Sequence, residues 1–159
     1  MEGKETVKTE RTVVTFQSSI FNSSESRSYF INAENYGDDL AQWISDQLEK
    51  RGVEIFKGEE FPGQEDFGWF FCCEIDHEAF CVVVSHLYDG NSLEWVISVE
   101  RNYGFIKSLI RGRHRDINRK LLIALHDVLS SSDDIHHIRW HRYEDFSRGT
   151  LSKSDSSPV

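Results

Sequence analysis

The stretch GWFFCCEIDHEAFCVVVSHLYDGNSLEWVISVER, Gly68 to Arg101, decides the fold. Three runs rich in Phe, Val, Ile, Trp and Cys are broken by Asp76-His77-Glu78 and by Asp89-Gly90-Asn91, the pattern of an antiparallel three-stranded meander. Hairpin turns that match the twist of their strands need positive φ, and Asp followed by Gly tolerates it. Centring the second turn on Asp89-Gly90 pairs Tyr88 with Asn91, His86 with Leu93, Val84 with Trp95 and Val82 with Ile97. A first turn at His77-Glu78 pairs Ile75 with Phe80 and Cys73 with Val82.

Side chains alternate across a strand, so these registers sort the meander into two faces. Trp69, Phe71, Cys73, Ile75, Phe80, Val82, Val84, His86, Leu93, Trp95, Ile97 and Val99 make one nearly unbroken apolar face. Phe70, Cys72, Glu74, Cys81, Val83, Ser85, Leu87, Glu94, Val96, Ser98 and Glu100 make the other, which is mixed. A sheet of this kind takes helices on its apolar side only.

Asp38 to Gly52 supplies one such helix. Leu40, Trp43, Ile44 and Leu48 share a face at helical spacing, two acids stand at the start and Gly52 at the stop. A second helix is expected from Asp116, as its N-cap, to Leu129, with Ile117, Leu121, Ala124, Leu125, Val128 and Leu129 inward. Arg11–Phe16, Val53–Phe56 and Ile135–Arg142 read as further strands, and Tyr29–Ile31 as a short one. Residues 57–68 read as a turn-rich loop around Pro62-Gly63. The expected fold is a single two-layer α+β domain over 11–146. It has a mostly antiparallel sheet of about five or six strands, two helices on one face, and flexible termini at 1–10 and 147–159.

A chain of 159 residues with 38% hydrophobic and 13% aromatic content can build one core. It has no apolar run of membrane-spanning length and no apolar leader at its start, so a cytoplasmic location off the membrane is expected. Its three cysteines do not form a disulfide framework; they read as buried structural thiols, with Cys72 and Cys81 diagonal neighbours on the mixed face. Net charge is −9, unevenly spread. Between Glu54 and Glu100 the only base is Lys57, whereas Arg101 to Lys120 holds seven bases and one acid, Asp116.

The nucleotide, nucleophile-elbow and zinc motifs GxGxxG, the P-loop, GxSxG, HExxH and CxxC are all missing. No cofactor, metal site or catalytic set is therefore expected. The acids Glu59, Glu60, Glu65, Asp66, Glu74 and Glu94 are instead candidates for a surface that meets a basic protein partner, such as a toxin or enzyme. Two rival readings remain. A small hydrolase or metal-dependent enzyme would use His86 with Asp89, or the C-terminal His136, His137 and His141. A nucleic-acid module would grip phosphate with Arg111, Arg113 and Arg115 in the 101–120 basic segment, against which the net acidity of the chain counts.

The loop FPGQEDFGW, Phe61 to Trp69, and the strand Ile138-Arg-Trp-His141 resemble those of small uncharacterised bacterial α+β proteins with a P-G-x-E-D-x-G-W loop before a meander. The resemblance spans Tyr29 to Tyr143 and implies the fold without an activity. In size, acidity and helix-on-sheet layout the chain is also similar to immunity proteins that neutralise basic toxins, a likeness of class. The expected function is accordingly non-enzymatic protein binding of an immunity or inhibitor type.

Overall fold

The computed structural model describes residues 10–59, 61–102 and 114–159. Their elements run β1 (Val13–Gln17), α1 (Asp38–Lys50), β2 (Glu54–Phe56), β3 (Gly63–Glu65), β4 (Gly68–Ile75), β5 (Glu78–Asp89), β6 (Ser92–Arg101), α2 (Arg119–Ser130), β7 (His136–His141) and α3 (Tyr143–Ser147). A 3-10 turn follows at Leu151–Lys153. The strands form one antiparallel sheet in the order β2-β4-β5-β6-β1-β7, with β3 also paired to β4. The α+β fold with α1 and α2 on one face is as expected, with seven strands among the described residues, and α3 sets Phe146 against His141 on the other face.

The meander is present with both turns moved by one residue. Asp76 and His77, both at positive φ, close the first hairpin, so Ile75 faces Glu78 and Cys73 faces Phe80. Gly90 and Asn91 close the second, with positive φ at Gly90, so His86 faces Trp95 and Val84 faces Ile97. Each partner shifts by two residues, an even number, so no side chain changes face. Trp69, Phe71, Cys73, Phe80, Val82, Val84, Trp95, Ile97 and Val99 are buried together, with Leu40, Ile44 and Leu48 of α1 and Leu121, Leu125 and Val128 of α2. Burying these side chains contributes roughly 1.5–3 kcal/mol each and is the main driving force of the fold.

Several local expectations are corrected. Asn118, not Asp116, caps α2, its side chain accepting from Lys120 N at 2.9 Å. Asp116 has φ 55°, a left-handed conformation that an N-cap does not adopt. Tyr29–Ile31 is not a strand, whereas Gly63–Glu65, read as loop, is β3. The C-terminal stretch is folded back: Asp155 exchanges backbone hydrogen bonds with Trp140 at 2.6 and 2.8 Å, and Arg11 N donates to Pro158 O. The Trp140 pair satisfies groups on the outer edge of β7 that would otherwise be open to pairing with another chain.

Candidate functional site

Gly37 sets the start of α1. It lies at φ 129°, and a Cβ there would come within 3.1 Å of Val84 Cγ1 and 3.5 Å of Trp69 Cδ1. Only Gly combines that φ with so close an approach to the sheet. The first turn of α1 is thereby pressed against Trp69, and Asp38 is carried inward to 6% exposure.

The preceding segment folds over this point. Gln64 of β3 works as a latch: its Oε1 accepts from Ile31 N (2.5 Å) and Asn32 N (3.3 Å), and its Nε2 donates to Asn32 O (3.0 Å). Asn35 donates to Glu65 O at 3.1 Å, and Trp69 Nε1 donates to Asn35 O at 2.7 Å. The backbone groups of Ile31 and Asn32 are thus satisfied by a side chain rather than a ladder, which is why no strand forms there.

Between the segment and α1 lies a cavity of about 480 Å³, walled by Tyr29, Phe61, Pro62 and Trp69 and bordered by Arg27, Asp38 and Asp39. Tyr29 and Trp69 meet edge to face at 6.1 Å. Tyr29 is 59% exposed, while its hydroxyl turns inward and donates to Asp38 Oδ2. Burial of that hydroxyl, then its bond to Asp38, push the phenol up to about 12, so it stays a donor. Arg27 Nε lies 3.4 Å from the same Oδ2, whereas Asp38 Oδ1 is buried without a partner among the described residues. A buried carboxylate oxygen left unpaired is costly, and an aromatic-walled cavity beside it favours a cation.

A second cavity, of about 280 Å³, opens on the mixed face between β1, β7 and the 3-10 turn. Here Thr15 Oγ1 and His141 Nε2 are 2.8 Å apart, Gln17 Nε2 donates to Glu94 Oε1 at 2.6 Å, and Arg139 donates to Ser154 through Nε and Nη2. Burial, then the charge of Arg139, hold the His141 imidazole below its usual range. Among the described residues no group bonds Nδ1 of His141 to orient its ring, as a base activating a nucleophile requires.

The acids expected to form one surface are divided. Glu65 and Asp66 are exposed at the β3–β4 tip beside the larger cavity, and exposed Glu59 adjoins it through Phe61. Glu74 lies six residues along β4 from Gly68, the partner of Glu65, or about 20 Å away. It stands opposite Glu54 and 3.9 Å from His77. Glu94 belongs to the second cavity. Glu60, Arg111 and Arg113 lie outside the described residues; Arg115 is exposed.

His86 and Asp89, an odd number of residues apart in β5, point to opposite faces. His86 is ringed by Tyr36, Tyr88 and Trp95, and burial lowers its pKa. His137, Arg139 and His141 do converge on the second cavity, with a bulge in the β1–β7 pairing and φ 58° at His137. Among the described residues no group of three or more His, Cys, Asp or Glu is placed to hold a metal. No helix among them is long and apolar enough to cross a membrane.

In the sequence Asp38 and Asp39 read only as the two acids at the start of a helix, and no motif there sets Tyr29, Phe61 and Trp69 around them. The available signal was an aromatic run, Tyr29, Phe30 and Tyr36, just before an acid pair. No protein-family model, curated protein or solved structure matches the chain.

Proposed function

We propose that the chain is a non-enzymatic protein-binding domain of the immunity or inhibitor type, which takes a basic side chain of its partner into the cavity at the start of α1. The observation behind this reading is the Asp38 carboxylate: buried, one oxygen unpaired, and set among Tyr29, Phe61 and Trp69. Arg27 already lies along this acid from the chain's own side, and its guanidinium is the chemistry the cavity suits. Exposed Glu59, Glu65 and Asp66 around it would steer a positive partner inward.

Titration of the chain with an Arg/Lys-rich peptide and with a neutral peptide of the same length, followed by calorimetry and Trp fluorescence, tests the reading. The basic peptide is expected to bind in a salt-sensitive manner and Asp38→Asn to weaken it at least about tenfold. Equal binding of the two peptides, or an unchanged affinity in a folded Asp38→Asn, would overturn it.

A further inference from the structure

Cys72 and Cys81 are direct cross-strand partners on the mixed face of β4 and β5. The first hairpin closes on Ile75 and Glu78 around a two-residue turn, so hydrogen-bonded and non-hydrogen-bonded pairs alternate outward from there. Glu74–Ala79 is non-bonded, Cys73–Phe80 bonded, and Cys72–Cys81 non-bonded. Non-bonded pairs bring their Cα atoms to about 4.5 Å, the closer of the two spacings, and within the range that a disulfide spans. The two Sγ atoms lie 2.7 Å apart with both thiols free.

We propose that Cys72 and Cys81 form a redox-active dithiol, a modification site at which a hydroperoxide converts the two thiols to an intrachain disulfide. Cys72 is the attacking thiol. It is partly buried and lines an open hollow of about 500 Å³ with Phe56, Glu59, Phe61 and Phe70, which gives a small peroxide access. The hydrogen bond from Cys81 stabilises the Cys72 thiolate and lowers its pKa against the opposing effect of burial. The same bond, then burial, push the Cys81 thiol up, so it stays protonated as the donor.

In the first step Cys72 Sγ attacks a peroxide oxygen. An S–O bond forms, the O–O bond breaks, and the departing oxygen leaves as water with the thiol proton. Cys81 Sγ then attacks the sulfenic sulfur; the S–S bond forms, the S–O bond breaks and the hydroxyl leaves as water with the second thiol proton. Two thiols lose two electrons and two protons, and hydrogen peroxide is reduced to two waters. Cys73 points to the other face, fully buried, with its thiol pushed up to about 12 by that burial, and takes no part.

Exposure of the reduced full chain to hydrogen peroxide, followed by thiol titration in denaturant and intact mass, tests this. Free thiols are expected to fall from three to one, with a loss of two hydrogens that a thiol reductant reverses. Cys73→Ser should still lose the two hydrogens. Cys72→Ser should not react, and Cys81→Ser should stop at a sulfenic acid that a 1,3-dione traps. Proteolytic mapping of the oxidised native chain locates the bond without relying on any variant. Three surviving thiols, oxygen addition without hydrogen loss, or a bond that includes Cys73 or a second copy would overturn the proposal.

Discussion

The two cavities differ in how far their polar groups are already satisfied. On the mixed face Thr15 meets His141, Gln17 meets Glu94 and Arg139 meets Ser154, so that site is largely closed by its own side chains, with Nδ1 of His141 the buried atom left unpaired among the described residues. At the start of α1 the walls are aromatic, and Asp38, bonded to Tyr29 and Arg27 through one oxygen, keeps the other unpaired. A polar network that answers itself contributes to stability. An aromatic cavity whose acid keeps one oxygen unbonded is the one that suits a cation brought by a partner.

The largest difference between the two cavities lies in their walls. Trp69 is a cavity wall and also part of the buried core. Trp69→Ala should cost about 3–5 kcal/mol by urea denaturation. Leu151, which borders the second cavity from the exposed 3-10 turn, should change stability by less than about 1 kcal/mol when cut to Ala. Equal costs would mean that the larger cavity is an open surface feature rather than a part of the core.

In the second cavity the polar side chains hold one another in place. Thr15→Val preserves shape, removes the hydroxyl and leaves the His141 ring at 3% exposure without its partner. The expected loss is about 1–3 kcal/mol, the cost of an unsatisfied buried polar group. A neutral result would remove the distinction between the two sites.

His141 adds a pH signature of smaller size. Its folded pKa is lowered by burial and by Arg139, with Asp145 opposing, so near pH 6 the unfolded chain binds more protons than the folded one. Stability therefore rises with pH in that window and falls as pH drops below the ordinary imidazole value of about 6.5. His86, lowered by burial, acts in the same direction. His141→Gln should flatten part of this acid-side decline in thermal melts at pH 5 to 7; an unchanged slope would assign the decline elsewhere.

How much of this was legible in the sequence depended on range. The faces of the meander survived a misplaced turn because period two is blind to an even shift, so Trp69 and Trp95 were put on the correct side. Local backbone choices were less legible: Asp116 and Asn118 both suit an N-cap by residue type, and φ decided between them. The tail looked unable to bury anything, yet its contribution is backbone pairing at Asp155, which composition does not encode. The sites were the least legible. Tyr29 reaches Asp38 nine residues on, and Thr15 reaches His141 across 126, and neither pair leaves a periodic trace.

The smallest effect on stability should be the most telling for function. Glu65 and Asp66 are exposed at the β3–β4 tip, and Asp66 makes no side-chain bond shown among the described residues. Reversing both to Lys should therefore alter unfolding free energy by no more than about 0.5 kcal/mol. Steering acts at long range, so the same double reversal should slow association of a basic peptide at low salt, and the difference should fade as the Debye length shrinks to about 8 Å at 0.15 M. Asp38→Asn should instead weaken binding at both salt concentrations, because a buried contact is little screened. Two variants with the same salt dependence would place Asp38 with Glu65 and Asp66 on one exposed surface and leave the cavity without a part in binding.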